Sequence, residues 1–280
     1  MNRLQLVEEV RNVLAKAGFY LSERHYEKGI SFDIIARRDD MLLIIVVDIN
    51  GDSSRIRNAK EIKILCDALN ASPLFVALKG GNRKLERGVI YSRRGIPLIS
   101  PQTLVDFFIE GVPPYVFSAP GGFYVKMDSD LLKKARKEEK ISLSKLAEIA
   151  GVSRKAIQKY ENGMGADVEV ALKLQEYLDE DVILPLNPLD RSEDVEDVME
   201  YSDNLSGFNK SIFEFLSSMG YEVVPTWKCP FEAITEDENT VMLTGVSPEE
   251  NEELKNKAKI VSNISNITEK DSVIFIKKRY

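Results

Sequence analysis

The hydrophobic pattern at one end of the chain is repeated at the other. Each end begins with apolar residues at helical spacing and continues with a short strand. A phenylalanine and an acid then open a second strand, Phe32-Asp33 in the first copy and Phe231-Glu232 in the other, before a third strand, a helix and a last strand. Both ends therefore predict the order αβββαβ, with helices packed on a mixed sheet. We interpret the repeat as a divergent duplication.

The middle of the chain shows mainly the helical pattern. From about residue 124 to 186 nearly every segment is predicted to be helical, and residues 131–182 resolve into four or five short helices. Gly151 separates two of them and suits a left-handed turn. Ile157 and Tyr160, after this turn, have the spacing of side chains that face a core. Two short helices that cross steeply at a turn are therefore predicted here.

Polar residues around this turn have the chemistry of a DNA-reading surface. A serine before each helix is a good N-cap, Ser142 or Ser144 for the first helix and Ser153 for the second. If the apolar residues of the second helix face inward, its long donor side chains face out, as major-groove recognition requires. The candidate DNA-contacting residues are Ser142, Ser144, Ser153, Arg154, Lys155, Gln158 and Lys159.

The stretch LAEIAGVSRKAIQKYENG, together with its surroundings, resembles the lambda-repressor-like, or XRE-type, helix-turn-helix family. The resemblance covers about 55 residues. It implies a recognition helix at about residues 153–162 that enters the major groove of double-stranded DNA. One position departs from the family, because many members carry a phosphate-contacting glutamine where Leu143 stands. That backbone contact is then missing or has moved to Ser142 or Ser144.

Two further stretches extend the resemblance to nearly the whole chain. They are GGFYVKMDSDLLKKARKEEKISLSKLAEIAGVSR at residues 121–154 and YSRRGIPLISPQTL at residues 91–104. Together with the order of domains, they resemble an archaeal family of helix-turn-helix transcriptional regulators. The resemblance implies transcription regulation and leaves the bound ligand and the operator open.

Charge is concentrated where this motif lies. The whole chain has a net charge of -7, which by itself disfavours a nucleic-acid partner. Residues 126–165, however, contain ten basic and six acidic residues, so that this segment carries +4 and the rest of the chain -11. A basic segment in an acidic chain indicates that one module meets DNA and the others do not.

Composition excludes several other classes of protein. The longest apolar run, at residues 41–47, is too short for a membrane span, and the N-terminus is charged, so we expect a cytoplasmic protein without a membrane partner. Two distant cysteines, Cys66 and Cys229, argue against disulfides and structural zinc. The single histidine, His25, removes most histidine-dependent chemistry.

The two αβββαβ ends resemble the core of the restriction-endonuclease-like superfamily. Active members bind Mg²⁺ with an Asp that begins one strand and a Glu-x-Lys on the next. Asp33 matches the Asp, but the Glu-x-Lys place falls on residues 46–48 or 45–47, which offer no acid and lysine together. In the second copy Glu232 is followed by VMLTGV at residues 241–246, again without the pair. We therefore expect both copies to be inactive, without metal or cofactor, and Asp33 and Glu232 to bond nearby backbone.

These patterns divide the chain into four parts. They are an endonuclease-like α/β domain at 1–123, an XRE-type helix-turn-helix domain at 124–186, an acidic linker at 187–206, and a second, smaller endonuclease-like domain at 207–280. A second basic run at 79–95 is either a solvated strand edge or an additional contact to DNA backbone.

The sequence-based reading is a sequence-specific DNA-binding transcriptional regulator that is not an enzyme. A homodimer is expected, because one short helix reads few bases, and the flanking domains would serve dimerisation or the sensing of an unknown effector. Two alternatives stay open. One is a metal-dependent nuclease with relocated ligands, and the other is a protein-interaction adaptor that no longer reads DNA.

Overall fold

The fold was obtained as a computed structural model, which describes residues 1–23, 30–190 and 207–277. Its N-terminal part has the predicted αβββαβ order. The elements are α1 (Arg3–Lys16), β1 (Tyr20–Leu21), β2 (Ile34–Arg38), β3 (Met41–Asn50), α2 (Ala59–Leu69) and β4 (Ser72–Gly80). β2 pairs antiparallel with both β1 and β3, and β3 pairs parallel with β4. The predicted mixed sheet is thus present.

β3 lies at the centre of this layer. Its residues from Leu42 to Val47 are all buried, as expected for a strand that is covered on both faces. Successive side chains point to opposite faces of a strand. Ile44 and Val46 accordingly join one hydrophobic cluster with α2, whereas Ile45 and Val47 join another with α1.

The sheet continues into the helix-turn-helix region. The next elements are β5 (Arg83–Lys84), β6 (Val89–Arg93), β7 (Ile96–Ile99), α3 (Pro101–Phe108), β8 (Val116–Ala119) and β9 (Gly122–Met127). The neighbours along the sheet run β4-β7-β6-β8-β9. The predicted domain boundary at residue 123 therefore falls inside β9, a strand that belongs to both parts.

The region after β9 contains four helices and two very short strands. They are α4 (Ser129–Glu138), α5 (Leu143–Ala150), α6 (Arg154–Tyr160), β10 (Ala166–Asp167), α7 (Val168–Leu178) and β11 (Ile183–Leu184). The four helices agree with the four or five that the sequence predicted. The expectation that nearly everything from 124 to 186 is helical is wrong for the strands, since β10 and β11 both pair antiparallel with β9.

The C-terminal part again has the order αβββαβ. Its elements are α8 (Gly207–Ser218), β12 (Glu222–Pro225), β13 (Ala233–Glu236), β14 (Val241–Ser247), α9 (Glu252–Thr268) and β15 (Asp271–Ile276). The three strand pairings, antiparallel, antiparallel and parallel, match those of β1 to β4. His25 and most of the predicted acidic linker, residues 191–206, lie outside the described residues.

The two αβββαβ units pack against each other. Val261 and Ile264 of α9 share a hydrophobic cluster with Ile62 and Leu65 of α2. Beside this contact, Oε1 of the buried Glu61 accepts hydrogen bonds from the backbone N–H groups of Trp227 and Lys228, at 3.0 and 2.7 Å. Among the described helices, none has the length and hydrophobicity required to cross a membrane.

One buried ion pair joins two helices of the helix-turn-helix region. Nε of Arg136, on α4, donates to Glu161 Oε1 at 2.5 Å, and Nη2 donates to Oε2 at 3.0 Å. Nη1 of the same guanidinium donates to the Ile141 carbonyl oxygen at 3.0 Å. Glu161 follows the last residue of α6, so this bidentate pair fixes the end of α6 to the end of α4. It also raises the pKa of Arg136 through the hydrogen bond to Glu161.

Replacing Glu161 with alanine should lower the free energy of unfolding by about 3 kcal/mol, because the Arg136 charge would stay buried without its partner. Urea denaturation followed by far-UV circular dichroism measures this change. Glu138→Ala is the matched control, since it removes a carboxylate from the exposed pair with Lys134, at 4.0 Å, and should cost about 0.5 kcal/mol or less. Equal effects of the two substitutions would contradict the assigned role of the Arg136 pair.

Candidate nucleic-acid interface

Helix α6 is positioned by its caps and by the turn before it. Ser142 caps α5 by accepting a hydrogen bond from Lys145 N at 3.1 Å, and Ser153 caps α6 by accepting one from Ala156 N at 3.1 Å. Gly151 adopts φ 71°, the left-handed region that a residue with a side chain seldom occupies. The turn closes with a hydrogen bond from Val152 N to the Ala147 carbonyl oxygen at 2.9 Å. The predicted roles of Gly151 and Ser153 are thus observed, and Ser142 rather than Ser144 is the cap.

The inner face of α6 packs on the core of the module. Ile157 is fully buried and Tyr160 is nearly so, and both belong to one hydrophobic cluster with Leu146 and Ala150 of α5. Val152 is half-buried against the same cluster. Burial raises the pKa of the Tyr160 phenol, and the Tyr160 carbonyl oxygen accepts a hydrogen bond from the Ser129 hydroxyl at 2.6 Å. The orientation of α6 is therefore fixed by apolar contacts on one side.

The outer face of α6 carries donors that the described part of the chain does not use. Arg154, Lys155, Gln158 and Lys159 are all exposed. None of their side chains forms an ion pair or hydrogen bond with a described residue. Their spacing of one and four positions places them on one side of a helix. The structure thus brings together the four predicted donors on a free surface.

The three predicted serines lie on the exposed side of the same module. The hydroxyl oxygens of Ser142 and Ser153 accept backbone hydrogen bonds, and each hydroxyl retains its proton for donation. Ser144 is exposed on the first turn of α5. Leu143, where many family members have glutamine, packs partly against the core and offers no donor.

The acid of the first endonuclease-like unit is neutralised by arginines. Asp33 Oδ2 accepts a hydrogen bond from Val47 N at 2.8 Å, as the sequence predicted. Arg3 donates to Asp33 Oδ1 and, at 3.1 Å, to the Val47 carbonyl oxygen. Arg55 donates to Asp33 Oδ2 at 2.9 Å. Burial raises the pKa of Asp33, and the charges of Arg55 and Arg3 oppose that shift.

The acid of the second unit has the same surroundings. Glu232 Oε2 accepts a hydrogen bond from Val246 N at 2.6 Å. Lys257 Nζ lies 2.5 Å from both carboxylate oxygens and donates to the Val246 carbonyl oxygen at 3.0 Å. In each unit, one cation therefore bridges the acid and the carbonyl oxygen of the same valine.

The residues described by the structure include no group of three or more His, Cys, Asp or Glu side chains that could hold a metal ion. Asp48, the one acid near the Glu-x-Lys place, accepts hydrogen bonds from the Ser53 hydroxyl and from Ile49 N, both at 2.7 Å. The fit to a catalytic Mg²⁺ is poor, because cationic side chains already bond both carboxylate oxygens of Asp33 and of Glu232. Sequence reasoning missed Arg3, Arg55 and Lys257, since they lie far along the chain from Asp33 or Glu232.

Some side chains of the second basic run, residues 79–95, form ion pairs, whereas others are exposed. Arg87 donates to both oxygens of Asp106, at 2.7 and 2.6 Å, and this pair lowers the pKa of Asp106. Arg93 pairs with Asp52 at 2.5 Å. Arg83 and Lys84, on β5, are exposed and form no ion pair with a described residue. Part of this run is thus available for an anionic partner.

The two cysteines are not linked to each other. Neither takes part in a disulfide, and Cys66 is buried whereas Cys229 is half-buried. Cys229 Sγ lies 3.5 Å from Glu61 Oε1, and burial raises the pKa of the thiol well above its ordinary value. A thiol that stays protonated is a poor nucleophile and a poor metal ligand.

Comparison with known proteins agrees with these two kinds of domain. A model of the PD-(D/E)XK superfamily domain matches residues 3–114, and a helix-turn-helix model matches residues 132–183. The comparison with solved structures found no match.

Similar proteins occur in several archaea, where they are named as predicted HTH-type transcriptional regulatory proteins. One from Natronomonas pharaonis is 39% identical over 280 residues, which cover 99% of this chain and 88% of that protein. One from Methanosarcina barkeri is 39% identical over 286 residues, with 99% and 87% covered. One from Halobacterium salinarum is 35% identical over 280 residues, with 99% and 87% covered. With its PD-(D/E)XK and helix-turn-helix domains, the chain belongs to this archaeal family of HTH-type transcriptional regulatory proteins.

Proposed function

We propose that the protein is a sequence-specific transcriptional regulator that reads the major groove of double-stranded DNA with α6. The observation that carries the proposal is the set of four exposed donors on α6 without a partner in the described residues. Arg pairs with guanine, Gln with adenine, and Lys with guanine or phosphate. Ser142, Ser144 and Ser153 would hold the DNA backbone beside the base contacts. A regulator of chromosomal genes would act in the cytoplasm.

We propose further that the flanking domains do no chemistry. The support is the arrangement of Asp33 with Arg3 and Arg55, and of Glu232 with Lys257. The cationic side chain bound to each acid neutralises the negative charge that a metal ion would otherwise neutralise. The shared frame of acid, valine N–H, valine carbonyl and cation also supports the view that residues 207–280 are a second, degenerate copy of the first unit.

The same domains would join two copies of the chain. In the first unit α1 packs beside α3, but in the second unit no described helix takes the place of α3. Phe215 of α8 and Met219, the residue directly after α8, are therefore left about half exposed, at 51% and 59%. We propose that α8 of a second copy covers this pair. Two copies would read two half-sites of an operator.

Replacing Arg154, Gln158 and Lys159 together with alanine should weaken binding to the operator by roughly 1 to 3 kcal/mol for each base-contacting side chain that is removed. The ratio of the affinity for the operator to the affinity for unrelated DNA should fall as well. Selection of bound fragments from the organism's genomic DNA would first supply the operator, and fluorescence anisotropy would measure the affinity.

Lys16→Ala/Lys60→Ala is the matched control for this variant, because it removes the same number of charges, two, from exposed helix positions outside the helix-turn-helix and outside α8. It should leave specificity unchanged. If the α6 variant and the control bound the operator equally well, the protein would be an adaptor rather than a DNA reader.

The protein should not cleave plasmid DNA in the presence of Mg²⁺ or Mn²⁺, because each candidate acid is held by a cation. Agarose-gel analysis of supercoiled plasmid tests this expectation. Asp33→Ala serves as the diagnostic variant. Cleavage by the wild type that disappears in Asp33→Ala would establish a nuclease with relocated ligands.

Multi-angle light scattering should give the mass of a dimer at micromolar concentration. Phe215→Ser/Met219→Ser should give a monomer, because the apolar contact is removed from both copies at once. Leu4→Ser is the control, since Leu4 is equally exposed, at 58%, but lies on α1. A monomeric wild type, with and without operator DNA, would refute the dimer.

A further inference from the structure

A cavity of 470 Å³ lies where the N-terminal sheet meets the β8–β9 hairpin. β5 and β6 form one wall, and the turn at Gly121-Gly122 with Phe123 forms the other. Its volume is in the range of small-molecule sites, which is about 300–1,000 Å³. The α6 donors do not line this cavity, so it is separate from the proposed DNA-reading surface.

The wall of the cavity is positively charged. Arg83, Lys84 and Arg93 line it together with one acid, Glu86. Arg93 is held in place, since Nε donates to Asp52 Oδ1 at 2.5 Å, Nη2 to Asp52 Oδ2 at 3.5 Å, and Nη1 to the Ser92 carbonyl oxygen at 2.9 Å. A guanidinium has five N–H donors, so two of them stay free for a ligand. This wall is suited to an anion with more than one negative charge.

A glycine on β4 lies directly beside the Arg93 guanidinium. A Cβ added to Gly80 would lie only 3.0 Å from Arg93 Nη2. The absence of a side chain at position 80 therefore lets the guanidinium lie against the backbone of β4. Arg93 is fixed in orientation before any ligand arrives, which reduces the entropic cost of binding.

Two aromatic rings give the cavity an apolar part. Tyr91 and Phe123 both line it, with ring centroids 6.3 Å apart and an angle of 83° between the rings. The Tyr91 hydroxyl oxygen accepts a hydrogen bond from Glu86 N at 3.1 Å, so the hydroxyl can still donate its own proton. An aromatic wall beside a cationic wall suits a planar ring that carries an anionic group.

We propose that this cavity binds a small phosphate monoester with a planar ring, the size and chemistry of a mononucleotide. The phosphate would lie at Arg83, Lys84 and Arg93, because a phosphate monoester carries close to two negative charges at neutral pH. The ring would lie against Tyr91 and Phe123. Duplex DNA is the less suitable partner here, since its phosphates lie on the outside of a wide helix and would not enter a half-enclosed cavity.

The cavity is connected to the DNA-reading helix through the hairpin. A Cβ on Gly165, which follows α6, would lie 2.9 Å from the Val125 carbonyl oxygen and 3.1 Å from Cζ of Phe117. The loop after α6 is therefore in tight contact with β8 and β9, which leaves no room for the hairpin to shift alone. A ligand at Phe123 would act on the position of α6. This step rests on the proposed DNA-reading function, whereas the binding site itself does not.

Isothermal titration calorimetry with the full-length protein tests the site directly. Adenosine 5′-monophosphate and the other three common mononucleotides are the probes, at up to about 1 mM, the weak end of specific affinities. At least one should bind, and its nucleoside without phosphate should bind at least about tenfold more weakly, since it cannot form the charge-assisted hydrogen bonds. Arg83→Ala/Lys84→Ala should weaken the mononucleotide about tenfold or more.

The Lys16→Ala/Lys60→Ala control should keep wild-type affinity for the mononucleotide, because it removes the same number of charges outside the cavity. No binding of any of the four mononucleotides by the wild type would overturn the assignment. Equal binding of nucleoside and nucleotide would overturn the role of phosphate. Weaker operator binding by Arg83→Ala/Lys84→Ala in the absence of nucleotide would assign these side chains to DNA instead.

Two further measurements separate this inference from the proposed function. Arg154→Ala/Gln158→Ala/Lys159→Ala should still bind the mononucleotide, whether or not the wild type binds DNA. Operator affinity of the wild type, measured with and without saturating mononucleotide, tests the connection to α6, and a change of about fivefold or more is expected for a coupled site. Unchanged operator affinity would overturn the connection and leave the binding site standing.

Discussion

The packing of Ile157 and Tyr160 beneath α6 is the constraint on which the proposed function depends. A helix of seven residues would not be stable alone, because its few hydrogen bonds do not offset the free-energy cost of helix nucleation. Its stability comes from the buried face, and the same burial fixes which side chains remain outside. The caps at Ser142 and Ser153 and the left-handed Gly151 serve this packing by setting the angle between α5 and α6. The exposed donors are thus a consequence of the core.

The two αβββαβ units each place a carboxylate in the same electrostatic environment. In each unit an acid at the start of a central strand accepts a hydrogen bond from a valine N–H on the next strand. A cation that reaches the same valine carbonyl oxygen neutralises the acid, from α1 in the first unit and from α9 in the second. The cations come from different elements, yet each one neutralises its acid in the same way. A buried carboxylate needs a positive partner, and a side chain can take that role without a metal.

Strand β9 links the parts of the molecule mechanically. It pairs with β8 at the edge of the N-terminal sheet and also with β10 and β11 of the helix-turn-helix region. A backbone shared in this way cannot bend freely at residue 123 without breaking ladder hydrogen bonds. The helix-turn-helix is therefore an extension of the sheet rather than a module on a free linker. Contacts made at the β8–β9 hairpin consequently reach the elements around α6.

The sequence by itself determined the elements of the two αβββαβ units and the side of α6 that is exposed. Periodicity predicted both αβββαβ orders, and the spacing of Ile157 and Tyr160 predicted which side of α6 faces solvent, because helix geometry relates residues close in the chain. Only the tertiary structure decided the partners of Asp33 and Glu232, the bidentate pair of Arg136 with Glu161, the strands β10 and β11, and the cavity beside Phe123. Each of these joins residues that are distant in sequence or too few for a periodic signal. Local patterns carry no information about such contacts, since they form only when the sheet and the helices have packed.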